Sequence, residues 1–199
     1  MSGRLTAAAA LTGMVALVPL PASAHLVSTG LGPVYDGIYH FFLSPEEVLP
    51  LAALALFAGL RGPPYARWVM FVVPIAWLLA GLIGAEPKAG VQAAGIAIGF
   101  LLVGGLLAAD VKLSRARTTL FAILLGAICG GMGGSLGSDQ SGLLAMLGGA
   151  LSVAVMLALL SSLALPLRQE WQRLTVRIAG SWIAAVGILL VGWAVHGRS

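Results

Sequence analysis

The chain has 199 residues, of which 59% are hydrophobic and only 9% are charged, and its formal net charge is +4. Soluble domains carry about 25% charged residues, so this composition excludes a soluble globular protein and predicts an all-α, polytopic membrane protein with one transmembrane domain. The apolar runs are about 17–25 residues long, as membrane-spanning helices require, which excludes the ~10-residue alternating strands of a membrane barrel.

The first 24 residues are predicted to be a secretory signal peptide. Arg4 supplies the positive charge at its start, an alanine-rich apolar stretch follows, and Ala22-Ser23-Ala24 matches the A-x-A cleavage pattern. The alternative is an uncleaved first helix. Cleavage leaves a mature domain over 25–199 and makes His25 its N-terminus, where the imidazole and the free α-amino group form a nitrogen pair that can chelate a metal.

The mature chain is predicted to cross the membrane six times. The spans are placed at 45–60, 67–85, 90–109, 118–137, 142–165 and 174–195. The first span is short at about 1.5 Å of rise per residue, so we do not expect it to cross a full bilayer alone.

The basic residues predict the orientation. Eight of the Lys and Arg residues lie in the three connections after spans one, three and five or within one helical turn of them: Arg61, Arg67, Lys112, Arg115, Arg117, Arg168, Arg173 and Arg177. The positive-inside rule places these connections in the cytoplasm and both mature termini outside, as in a multi-pass protein of a bacterial inner membrane. Because topology accounts for the positive charge, no nucleic-acid partner is expected.

Glycines recur at the spacing of close helix contacts: Gly95/Gly99, Gly126/Gly130, Gly130/Gly134 and Gly133/Gly137. This spacing lets helix backbones approach closely, so it favours packing within the bundle, and the same faces are candidates for docking partner subunits. The run from Cys129 to Ser135 is so rich in glycine that it is predicted to be a broken helix forming a second wall of a pathway.

Polar residues that bind metals are concentrated between positions 25 and 60. Asp36 and His40 are spaced i, i+4, so on a helix both face the same side and can share one ion. The predicted metal ligands are His25, Asp36, His40, Glu46 and Glu47. Imidazole with carboxylate suits Ni²⁺, Co²⁺, Zn²⁺ or Cu²⁺ without choosing among them, and no prosthetic group is expected.

Local structure offers a second interpretation of some of these residues. Ser44, Pro45 and Glu47 have the pattern of a helix start with a capping box, which explains Glu47 without any metal. Pro50 is expected to interrupt the helix that follows. His40 is flanked by aromatic residues and is alternatively an interfacial residue bound to a lipid headgroup.

Two further residues are expected to have ordinary structural roles. Trp77 lies deep in the second span and is predicted only to pack, whereas Trp68, Trp171 and Trp193 lie near span ends as interfacial anchors. Asp110 lies at a span end and is predicted to be solvated.

The segment Gly37-Ile38-Tyr39-His40, followed by Ser44, Glu46, Glu47 and Val48-Leu49, resembles a family motif. The motif is the first-helix pattern G-x-x-H-x-x-x-G-x-D-H-L-L of the HupE/UreJ family, membrane proteins associated with nickel or cobalt uptake for hydrogenase and urease. In this chain, Ser44 replaces the second glycine of the motif, Glu46 replaces the aspartate, and Glu47 replaces the second histidine. The resemblance extends to the signal peptide, the six spans and a final helix that contains Arg177–Gly187.

This resemblance implies a divergent member of the family. The run Cys129–Gly134 occupies the place of a histidine-rich element of the family and contains no histidine. Cys129 and Met132 offer a thiolate and a thioether, a pair that favours Cu(I). The alternative is that this site has been lost altogether. The expected function is a permease that captures a divalent cation at the outward His/carboxylate site. The alternative is a non-transporting accessory or scaffold subunit with a degenerate metal site. No catalytic or ATP-binding motif is found, so the chain is not expected to be an enzyme.

Overall fold

The computed structural model describes residues 29–83, 89–133 and 140–196, and all regular structure in these ranges is α-helical. The helices are α1 (Pro33–Leu43), α2 (Pro45–Arg61), α3 (Pro63–Ile83), α4 (Ala89–Ala108), α5 (Arg115–Gly133), α6 (Gln140–Ala164) and α7 (Glu170–His196). The predicted all-α class is confirmed in this part of the chain. The signal peptide and His25 lie outside the described residues.

Several of these helices are long and apolar enough to cross a membrane. α3, α6 and α7 qualify in full and α4 qualifies from Val91 to Ala108. α1 and α2 satisfy the same test together, bent by 76° at the break between them, and give a fifth candidate span if they count as one. α5 is not in this set. The chain is therefore a multi-pass helical membrane protein, and the sixth span and the outward termini stay predictions.

The short helix α2 lies at the centre of the bundle. It packs against all six other helices, and nine of its 17 residues are buried. Several of its buried residues are small, such as Ala53 and Gly59. At Gly59 the backbone of α6 approaches closely, since a Cβ there would overlap the carbonyl oxygen of Ser161. The helix continues through Pro50, so the predicted interruption is wrong. Proline only removes the amide that would bond the carbonyl of Glu46.

Glycine packing fixes the α3–α5 contact. A Cβ on Gly126 would lie 2.9 Å from the carbonyl oxygen of Val73, and one on Gly130 would overlap the carbonyl of Trp77. The predicted packing role of this glycine pair is confirmed. α5 stays helical through Gly133, so the predicted break is wrong over 129–133, while residues 134 and 135 lie outside the described ranges. The close contact with α3 offsets the cost of glycine in a helix.

Asp110 is an ion-pair centre, so the prediction of a solvated residue is wrong. Nη1 of Arg61 and Nη2 of Arg173 each lie 2.7 Å from one of its carboxylate oxygens. These contacts join the end of α2 to the α4–α5 connection and to the start of α7. Burial alone would raise the pKa of Asp110, but the hydrogen bonds and positive charges of Arg61 and Arg173 outweigh it and hold the pKa below its ordinary value of 3.8.

We expect Asp110→Asn to lower the free energy of unfolding by about 2–4 kcal/mol at neutral pH. The substitution removes the negative charge between two guanidinium groups, one of which, Arg61, has a side chain only 9% exposed. Asparagine tolerates the positive φ of 51° at this position, so the backbone is not strained. Thermal unfolding in detergent measures the change.

Glu170→Gln is the matched control, because in the part of the chain that the structure describes Glu170 makes no ion pair. The lowered pKa of Asp110 also sets the pH dependence. The stabilisation that ionised Asp110 adds to the folded protein is complete above the ordinary carboxyl pKa of 3.8. It is lost as the pH falls through the lowered pKa of the folded state. Equal unfolding temperatures for Asp110→Asn and Glu170→Gln would show that the ion pairs do not stabilise the bundle.

Candidate functional site

The helix α1 carries the first two predicted ligands. Asp36 and His40 are four residues apart within this continuous helix, so they lie on the same face. The Asp36 oxygen Oδ1 accepts hydrogen bonds from the backbone N–H and the hydroxyl of Thr29, both at 2.6 Å. These two bonds hold the segment that precedes α1 against the ligand-bearing helix.

The break between α1 and α2 lies at Ser44. Pro45 starts α2, and proline disfavours the helical conformation in the residue before it. Ser44 occupies the N-cap position but makes no side-chain capping bond. Its hydroxyl instead donates to the carbonyl of His40 at 2.9 Å. The predicted capping box is therefore wrong, because the Ser44 hydroxyl is turned towards the last carbonyls of α1. Glu47 has no part in a cap, and its carboxylate points elsewhere.

Glu47 is buried inside the bundle, with 1% of its surface exposed. Its oxygen Oε2 accepts a hydrogen bond of 2.7 Å from the indole Nε1 of Trp77 on α3. Trp77 is fully buried, and Gly149 of α6 makes room for it, since a Cβ there would lie 2.7 Å from the indole ring. The expectation that Trp77 only packs is wrong, because it also holds the one deeply buried carboxylate of the described residues.

The interior around this pair is otherwise apolar. Cys129 of α5 is 2% exposed and belongs to the same buried cluster as Trp77, with Leu51 and Leu54 of α2. The side chain of Met132 lies outside the described residues, so its predicted partnership with Cys129 is not tested. The site thus consists of a carboxylate and a neutral N–H donor within a hydrocarbon-like surrounding.

Glu46 and Glu47 are separated by the rotation of the helix. Successive residues of an α-helix point about 100° apart, so Glu47 faces the core while Glu46 lies half-buried on another side. Within the described residues, no group of three or more His, Cys, Asp or Glu side chains is close enough to hold a metal ion. Since His25 lies outside those residues, the set of five predicted ligands stays a prediction.

Sequence reasoning missed the burial of Glu47, although the chain carries a signal for it. Glu47 shares one helical face with Pro50, Leu51, Leu54 and Ala58, at the spacing i, i+3, i+4, i+7 and i+11, and all four are buried. An acid in register with a buried apolar stripe is itself buried. The identity of its partner, 30 residues further along the chain, leaves no comparable pattern.

Comparison with known proteins finds one family. A profile described as HupE / UreJ protein matches residues 13–190 of the chain. No curated protein and no solved structure matches significantly.

Proposed function

Because the chain belongs to the HupE/UreJ family, we propose that it is an integral inner-membrane permease for a divalent transition-metal cation of the nickel or cobalt type. The observation that carries the proposal is the burial of Glu47. An ionisable group inside a membrane bundle is costly and typically marks the path of an ion or a proton. Here it lies on the central helix, beside the 76° bend of the first span.

The entry site is proposed on α1. His40 and Asp36 supply an imidazole and a carboxylate on one face, and Glu46 follows beyond the break. Thr29 is bonded to Asp36, and His25 precedes Thr29 by four residues, which span at most about 14 Å when extended. The imidazole and α-amino group of a mature N-terminus at His25 are therefore within reach of Asp36 and His40 and would complete the ligand set.

The direction of transport follows from the proposed topology. Six spans with both termini outside place the ligand-bearing start of the chain on the outer side and the basic connections in the cytoplasm. The positions of α2 to α7 support this arrangement, since each overlaps one of the six predicted spans. A membrane potential of 100 mV, negative inside, then favours entry of a dication by about 4.6 kcal/mol.

A second candidate function is a non-transporting accessory subunit that keeps the fold. The positive charge at the end of α2 opposite Glu47 favours this accessory function. Asp110 pairs there with Arg61 and Arg173, and Arg177 lines the same groove. The excess of positive charge opposes the exit of a metal cation at that end.

Metal titration tests the proposal. We expect the purified protein beginning at His25 to bind one Ni²⁺ or Co²⁺ per chain in a calorimetric titration, with Zn²⁺ and Cu²⁺ as comparisons. His40→Ala should weaken metal binding at least ~10-fold, because it removes one of the proposed metal ligands. His196→Ala, at the end of α7, is the matched control and should leave the affinity unchanged.

Uptake into proteoliposomes separates the two candidate functions. Saturable metal binding with potential-driven uptake supports the permease. Binding without uptake favours the accessory subunit, and an affinity equal in wild type and His40→Ala contradicts the proposed entry site.

A further inference from the structure

A groove of about 500 Å³ lies at the end of the bundle that carries the basic residues. It is lined by Asp110 and by residues from the start of α7: Glu170, Trp171, Arg173, Leu174 and Arg177. The Nε of Arg177 donates to the carbonyl of Ala108 at 2.8 Å, which positions its guanidinium at the groove without neutralising it.

The charges at this groove do not balance. Asp110 shares its single negative charge between Arg61 and Arg173. The groove itself is lined by two guanidinium groups, Arg173 and Arg177, and two carboxylates, Asp110 and Glu170. Arg61 does not line the groove but pairs with Asp110, so three guanidinium groups stand against two carboxylates in this cluster. Guanidinium groups bind phosphate oxygens in bidentate fashion, so the excess charge suits a phosphate-bearing anion.

An apolar stripe begins at the same groove. It comprises three exposed α7 residues spaced to share one helical face within the leaflet next to the groove: Leu174, Ile178 and Trp182. Leu174 lines the groove itself, and α7 is the least buried of the candidate spans, with 11% of its window inside the bundle. A ligand that joins an anionic head to a long apolar tail would contact both features. A free phosphate would contact only the groove.

We propose that the groove binds the phosphate headgroup of an anionic phospholipid, with its acyl chains along the apolar stripe of α7. Arg173 and Arg177 bind the phosphate, and the exposed indole of Trp171 lies at the level of the headgroups, where tryptophan is favoured. Basic pockets between membrane helices bind anionic headgroups by the same chemistry. The site does not depend on metal transport.

Native mass spectrometry of the full mature chain in detergent tests this site. The protein is titrated with phosphatidylglycerol and, in parallel, with phosphatidylcholine of the same acyl chains. We expect the wild type to bind phosphatidylglycerol more tightly and Arg177→Gln to lower that affinity about fivefold, the effect of one basic residue at an anionic membrane surface. Arg177→Lys, which keeps the charge but not the bidentate guanidinium, should lose less affinity than Arg177→Gln.

Arg168→Gln is the matched control, because Arg168 lies at the same end but does not line the groove. Equal losses of phosphatidylglycerol affinity in Arg177→Gln and Arg168→Gln would show that diffuse surface charge binds the lipid, and would overturn the proposal of a site. Equal affinity of the wild type for the two lipids would overturn it as well. Displacement of phosphatidylglycerol by inorganic phosphate would identify a free-phosphate site and would overturn the assignment to lipid.

Discussion

Glu47→Gln is expected to lower metal uptake into proteoliposomes at least ~10-fold while the protein stays folded. Glutamine has nearly the same shape, and its side-chain carbonyl oxygen can accept the hydrogen bond that Trp77 donates to Glu47. The substitution therefore removes the ionisable carboxyl group without opening a cavity. We expect the free energy of unfolding to change by less than ~2 kcal/mol.

The rate of Ni²⁺ or Co²⁺ uptake under an imposed potential is the measurement, with thermal unfolding in detergent as the test of folding. Glu170→Gln is the matched control, since it removes an exposed acid from the opposite end of the bundle. Unchanged uptake in Glu47→Gln would show that no cation passes the buried carboxylate. Absence of uptake in the wild type itself would instead leave the accessory-subunit function as the better account of the fold.

Gly130→Ala is expected to destabilise the protein by at least ~3 kcal/mol or to prevent folding. The added Cβ would overlap the carbonyl oxygen, the carbonyl carbon and the Cα of Trp77 on α3. All three are backbone atoms, so no side-chain rotation relieves the overlap and the two helices must move apart. The shift would also displace the indole that holds Glu47.

Gly105→Ala is the matched control, because a Cβ at this position in α4 meets nothing within 4 Å. There the intrinsic preference of alanine for helix should prevail and stabilise the protein by up to about 1 kcal/mol. The two substitutions are therefore expected to have opposite signs in a thermal unfolding measurement. Similar unfolding temperatures for both variants would contradict the close α3–α5 contact.

Local sequence patterns predicted some features and misled on others. The glycine-rich run after Cys129 indicated a broken helix, yet α5 is helical through Gly133 because close packing on α3 compensates for the low helix propensity. Ser44 and Glu47 have the spacing of a capping box, yet each bonds a different partner. A propensity describes an isolated segment, whereas the bundle supplies additional partners for each polar group.

The sequence by itself determined the membrane class, the all-α fold and the approximate limits of α2 to α7, because the length of an apolar run reflects the thickness of the bilayer. It also indicated the close contact at Gly126 and Gly130, since small residues four apart form a flat helix face. These properties depend on residues near one another in the chain, so they can be predicted from local spacing.

The tertiary structure alone decided the partners of the acidic side chains Glu47 and Asp110. Glu47 bonds Trp77, which is 30 residues away, and Asp110 bonds Arg61 and Arg173, which are 49 and 63 residues away. Each pair depends on the rotation and tilt of helices that the chain connects only through loops. Those angles are set by packing over the whole bundle, so no local pattern contains them.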